Sequence, residues 1–157
     1  MTEWEKMLAG EPFDGGDPEL MKNRIRCRGY LHELNTQCND DPVYRKKIVE
    51  GILGRPSHVD ILPPFHCDFG VCIHIGDGTV IGKGCVILDP GVITIGKNCR
   101  IGPNVRITAV GHPIHPEQRA QRYLVNKPVT IGDNVWIDAG VVIVPGATIG
   151  DNAVIGA

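Results

Sequence analysis

Along the second half of the chain the apolar positions recur every six residues. Ile75, Ile81 and Ile87 are followed by Ile95, Ile101 and Ile107, and after a gap by Ile131, Ile137, Ile143, Ile149 and Ile155. Gly often comes next, as in Ile81-Gly82 and Ile131-Gly132, and a small or slim residue stands four places after each Ile. That second series runs Thr79, Cys85, Gly91, Cys99, Val105, Gly111, Val135, Val141, Ala147 and Ala153. A helix needs apolar residues at spacings of three and four, and an isolated strand at every second position, so a period of six is neither. It fits a short strand followed by a tight turn, with several such units closing one polygonal coil. Each unit then buries its Ile only against the coils stacked above and below, which defines a solenoid. Turns such as Gly132-Asp133-Asn134 and Gly150-Asp151-Asn152 suit the corners, because Gly and Asn accept backbone conformations that other residues resist.

Two interruptions are visible in the pattern. Ile95 follows Ile93 after only two residues, which predicts one corner lengthened by two. After Ile107 the repeat disappears, and it resumes at Val129. The segment 108–128 is therefore predicted to be an extended loop, carrying His112, His115, Arg119, Arg122 and Tyr123. A loop this long within a regular solenoid is a candidate functional element.

Residues 1–56 are of another kind. Trp4, Met7 and Leu8 share a helical face that Gly10-Glu11-Pro12 ends. Asp17-Pro18 reads as an N-cap followed by Pro at the first helical position, and the next helix places Leu20, Arg24, Cys27, Leu31 and Leu34 on one side. A third helix is predicted from Asp41-Pro42 to Leu53, stopped by Gly54-Arg55-Pro56. Helices this short gain their stability from packing, and the open end of the solenoid offers a surface for it. Residues 57–157 form the solenoid, with 57–68 read as an irregular lead-in, Pro63-Pro64 at a corner, and regular repeats from Phe69.

Composition adds limits. With 16 Lys and Arg against 18 Asp and Glu, the net charge of -2 gives no electrostatic case for nucleic acid or an anionic membrane. No apolar run approaches the roughly 20 residues of a membrane span, and the N-terminus has no apolar signal core, so a cytoplasmic location is expected. Of the six cysteines, Cys85 and Cys99 occupy the small position of the repeat and read as buried thiols. Cys67 and Cys72, with His66 and His74 beside them, match none of the standard zinc spacings, and no metal is expected.

The repeat resembles the hexapeptide acyltransferases, and the chain as a whole resembles their maltose and galactoside acetyltransferase branch. The resemblance is carried by Met7-Leu8-Ala9-Gly10, Arg24-Ile25-Arg26-Cys27-Arg28, Phe65-His66-Cys67-Asp68-Phe69-Gly70, Gly111-His112-Pro113, and the run from Lys127 to Ile137. It implies a mainly β fold: a left-handed parallel β-helix with three hexapeptides per coil and a small N-terminal helical segment. It also implies transfer of an acetyl group from acetyl-CoA to a sugar hydroxyl, and a homotrimer with active sites between subunits. The His of the Gly-His-Pro segment, here His112, would be the general base. An imidazole, with its ordinary pKa of about 6.5, can take the proton of a weakly nucleophilic hydroxyl as it attacks the thioester. His115 is read as shaping the loop.

For the acceptor, the resemblance implies a carboxylate from the N-terminal segment, either Asp14 or Asp17, together with Asp68 and Arg24. Trp136 would line a sugar or pantetheine groove, and Ala139 and Ala157 would border CoA. Departures are also visible. Gly82 stands where an Asn contact is expected, Asp138 replaces the usual Gly after Trp-Ile, and the coil, Thr-Lys pair and basic tail expected beyond Ala157 are not in this sequence. Two further readings follow from these residues: a catalytically weak β-helical scaffold, and a metal-dependent lyase like the β-helical carbonic anhydrases, to which His112 and His115 would supply two ligands.

Overall fold

The computed structural model describes residues 1–37 and 40–157. The chain opens with α1 (Glu3–Ala9). Thr2 and Glu5 form its capping box, and Gly10 ends it at φ 78°, a left-handed conformation that Gly adopts without steric cost. A two-residue strand β1 (Phe13–Asp14) leads to α2 (Pro18–Gln37) and α3 (Pro42–Leu53). The caps follow the sequence. Asp17 Oδ1 accepts from the N–H groups of Glu19 and Leu20, and Asp41 Oδ1 from those of Val43 and Tyr44.

Three strands then make each coil. The first holds β2 (Asp60–Ile61), β3 (Phe65–Cys67) and β4 (Ile73–Ile75), and the second β5 (Val80–Ile81), β6 (Cys85–Leu88) and β7 (Ile93–Ile95). The third begins with β8 (Arg100–Ile101) and β9 (Arg106–Thr108). The chain leaves the solenoid there for β10 (Val110–Gly111), α4 (Pro116–Ala120) and β11 (Tyr123–Asn126) before β12 (Val129–Ile131) closes the coil. The fourth comprises β13 (Trp136–Ile137), β14 (Val142–Ile143) and β15 (Thr148–Ile149), and β16 (Val154–Ile155) starts a fifth.

Stacked coils give three parallel sheets, ordered β2-β5-β8-β13-β16, β3-β6-β9-β14 and β4-β7-β12-β15. The repeat positions fall into register. Ile61, Ile81, Ile101, Ile137 and Ile155 follow one another along the first sheet, and Cys67, Ile87, Ile107 and Ile143 along the second. Ile61, Ile81, Ile87, Cys85 and Cys99 are fully buried in one continuous core that Cys27, Leu31 and Leu34 of α2 and Ile48, Val49, Ile52 and Leu53 of α3 also enter. The two helices thus cover the first coil, whose strand edges and apolar rim would otherwise face water.

The register corrects three expectations. Regular coiling begins at Asp60 rather than Phe69, because Asp60 and Ile61 pair with Val80 and Ile81. Ile61 and Phe65 fill inward positions there without the Ile-Gly marker. The longer corner occurs in the first coil as well as the second, since Cys67 pairs with Ile87 while Ile73 pairs with Ile93. Gly111, expected at a small position of the repeat, lies instead on β10, off the solenoid. The segment 108–128 is accordingly a folded excursion with two strands and a helical turn of its own.

Candidate functional site

That excursion folds onto the N-terminal segment. β11 is the middle strand of a three-stranded antiparallel ribbon, in which Phe13 and Asp14 of β1 pair with Leu124 and Tyr123, and Val110 and Gly111 of β10 pair with Asn126 and Val125. The buried Asn126 amide clamps the joint by donating to the Met7 carbonyl at 2.6 Å. His112 follows directly after β10 and so comes to rest beside Gly15 and Gly16, nearly a hundred residues earlier in the chain. Gly15, Gly16, His112, Arg119, Arg122 and Leu124 line one cleft of 450 Å³. Side chains alternate along a strand, and Tyr123 and Val125 line a separate 310 Å³ cleft with Pro12 and Pro113. The ribbon therefore has two distinct faces, one of them carrying the imidazole.

Asp14, next to Gly15 in the chain, is exposed, with Oδ1 accepting from the Gly16 N–H at 2.9 Å, and it is not among the residues lining the cleft. Asp17 is occupied as the N-cap of α2. Arg24 ties the cleft to the solenoid: one guanidinium nitrogen donates to the Gly15 carbonyl at 2.6 Å, and the guanidinium lies 5.0 Å from the centre of the Phe69 ring. Trp4 packs edge-on against that ring at 5.5 Å. Beside Phe69, Asp68 is partly buried, which raises its carboxyl pKa against the opposing pull of Arg24 and Arg28.

Asp89, which the sequence reading does not single out, holds this corner in place. It is fully buried, and Oδ1 accepts from the N–H groups of Asp68 and Phe69 at 2.9 Å each, while Oδ2 has no partner. Burial pushes its pKa to about 6, against the pull of those two backbone donors. The available signal was the Asp89-Pro90-Gly91 turn at the lengthened corner.

The other predicted residues lie elsewhere on the chain. Trp136 projects from β13 with 51% of its surface exposed and is not among the residues lining the His112 cleft. Ala139 and Ala157 are exposed at the later coils, and the Ala139 N–H donates to Asp138 Oδ1 at 2.8 Å. His115 precedes α4 without a side-chain cap bond. Cys72 is buried, which pushes its thiol up to about 12. The Cys67 sulfur lies 3.5 Å from that of Cys27, and His74 Nδ1 lies 3.0 Å from an Arg55 guanidinium nitrogen. No group of three His, Cys, Asp or Glu side chains arranged to hold a metal occurs among the described residues.

This architecture has close counterparts. The maltose acetyltransferase hexapeptide capping motif matches residues 6–56, the hexapeptide repeat of succinyl-transferase residues 72–109, and the bacterial transferase hexapeptide residues 128–157. Galactoside O-acetyltransferase of Escherichia coli is 36% identical over 156 residues, covering 98% of this chain and 76% of that protein. The crystal structure of a maltose O-acetyltransferase from Clostridium difficile superposes with a TM-score of 0.94 at 39% identity, over 100% of this chain and 84% of that one. A hexapeptide-repeat acetyltransferase of Vibrio cholerae, solved with acetyl coenzyme A, gives 0.90 at 38% identity, over 100% and 85%. With the capping segment, the coils and their interruption matched end to end in proteins of this identity, the chain belongs to the maltose and galactoside O-acetyltransferase family of hexapeptide-repeat acetyltransferases.

Proposed function

We propose that the protein transfers an acetyl group from acetyl-CoA to a hydroxyl of a sugar, with His112 as general base. The observation that carries this reading is the cleft itself, in which the ribbon presents His112 to a space bounded by the N-terminal Gly15-Gly16 turn. Its volume lies within the range of small-molecule sites. A hydroxyl seated there loses its proton to the imidazole while its oxygen bonds to the thioester carbonyl carbon. The same proton is then returned to the sulfur as the carbon–sulfur bond breaks, leaving the acetyl ester and CoA. Asp14, exposed beside Gly15 and free of the capping duty that occupies Asp17, is the N-terminal carboxylate we assign to a neighbouring acceptor hydroxyl. Arg24 and Asp68 supply further polar contacts on the solenoid side.

Acetyl-CoA would lie along the later coils, where side chains are short. An added Cβ at Gly140 or Gly156 would meet nothing within 4 Å, so the surface beside Ala139 and Ala157 is open to a slim pantetheine arm. The donor supplies the activated acyl carbon; orientation and proton transfer fall to the protein. Trp136, Val142, Val144 and Val154 leave an exposed apolar surface on these coils. Such a surface marks an interaction site, and we infer a homotrimer in which it meets a neighbouring subunit.

Replacing His112 tests the mechanism. His112→Ala is expected to lower kcat for acetyl transfer by about 10²–10⁴, with binding of acetyl-CoA retained. His115→Ala, by contrast, should keep most of the activity. Full activity in His112→Ala would exclude the proposed base.

A further inference from the structure

We propose that the acceptor is anionic, a sugar carrying a phosphate or carboxylate, and that Arg122 recognises that group. The inference rests on the acetyl-transfer reading of the same cleft. Two guanidinium groups line the cleft beside His112, and no carboxylate is among the lining residues. Neither arginine forms an ion pair among the described residues. Arg119 is committed to the loop, donating to the Pro113 and Ile114 carbonyls at 3.2 and 3.0 Å. Arg122 has no such task.

The backbone at Arg122 strengthens the case. Its φ is 65°, in the left-handed region that a long side chain occupies at a cost and that Gly or Asn would occupy more readily. The other non-Gly residues with clearly left-handed φ are the asparagines 98, 104, 134 and 152, at corners of the solenoid. A turn that favours Gly or Asn here carries instead a cation, at the mouth of the cleft, with its charge unspent. Strain of this kind concentrates at functional sites. A planar guanidinium beside a proton acceptor suits an acceptor with a hydroxyl at one end and a phosphate or carboxylate at the other, held by charge-assisted hydrogen bonds.

The anion could also come from the phosphates of acetyl-CoA, so the test separates the two sources. Acetyl transfer to glucose and to glucose 6-phosphate is measured for the wild type, Arg122→Gly and Arg122→Asn, with the KM for acetyl-CoA determined in each and the binding of both sugars followed by calorimetry. Gly and Asn both accept the left-handed conformation, so the fold is retained. The expected result is a wild-type preference for glucose 6-phosphate that weakens at high salt, and a drop of about tenfold or more in the ratio of kcat/KM between the two sugars in both variants. Equal loss on both sugars, or no preference in the wild type, overturns the proposal. A raised KM for acetyl-CoA with an unchanged sugar ratio also overturns it, by assigning the guanidinium to the donor. Should neither sugar be acetylated, the reaction reading fails, and the calorimetry decides the anion site alone. Tighter binding of glucose 6-phosphate than of glucose, lost in Arg122→Gly, upholds the site; equal binding removes it.

Discussion

Asp89 shows how a single buried residue gives the fold a pH dependence. Its carboxyl is enclosed at the lengthened corner with one oxygen satisfied and the other not, and its pKa rises to about 6 from an ordinary 3.8. Between about pH 4 and 6 the native state therefore retains a proton that the unfolded chain has already released. Stability falls as pH rises through this window and levels off above it, by roughly 3 kcal/mol in total. Asp89→Asn keeps an oxygen acceptor for the Asp68 and Phe69 N–H groups and cannot ionise. The difference between wild-type and Asp89→Asn unfolding free energies, measured in urea across that range, is expected to change by about this amount. A constant difference would show that Asp89 does not titrate there.

At the scale of the element, close stacking decides which side chains the corners can carry. An added Cβ at Gly82 would lie 2.9 Å from the Gly102 carbonyl carbon, the Ile101 oxygen and the Pro103 nitrogen, all backbone atoms of the next coil. The position at which the resemblance implies an Asn contact is closed here by the next coil. Gly82→Asn is expected to cost about 1–3 kcal/mol through displaced backbone, read as a lower urea midpoint. An unchanged midpoint would mean that the coils separate freely. The ribbon is a second such element. The two-residue strands β1 and β10 hold little by themselves; they pair with the four-residue β11, which the buried Asn126 amide anchors to α1. Replacing Asn126 with Ala should loosen this joint and raise the KM for the acceptor more than it lowers kcat.

For the whole molecule, the exposed apolar side chains of the later coils, Trp136 and Val154 on one face and Val142 and Val144 on another, are the feature that a lone solenoid leaves unexplained. Light scattering is expected to give the mass of three chains, and Trp136→Glu to shift it toward one. A stable monomer of the wild type at micromolar concentration would exclude shared active sites. No helix among the described residues is long and apolar enough to cross a membrane.

The solenoid was legible in the sequence because its core is local and periodic. Each Ile of the six-residue series from 75 to 155 reports its own inward position, and the caps at Asp17 and Asp41 announce their helices through short-range hydrogen bonds. Where the marker fails, as at Ile61 and Phe65, only the register shows that coiling has begun. The candidate site was legible only as a set of residue types, His112 among them through the family resemblance of its Gly-His-Pro segment, and its assembly was not legible at all. Joining His112 to Gly15 depends on β1 pairing with β11 across more than a hundred residues, through strands too short to carry an alternating pattern. Asp89 and Arg122 took on meaning only in three dimensions, one through a missing hydrogen-bond partner and the other through a strained backbone at the mouth of a cleft. Periodic burial can be read from neighbours along the chain; charge, strain and cavity depend on neighbours that only the folded chain brings together.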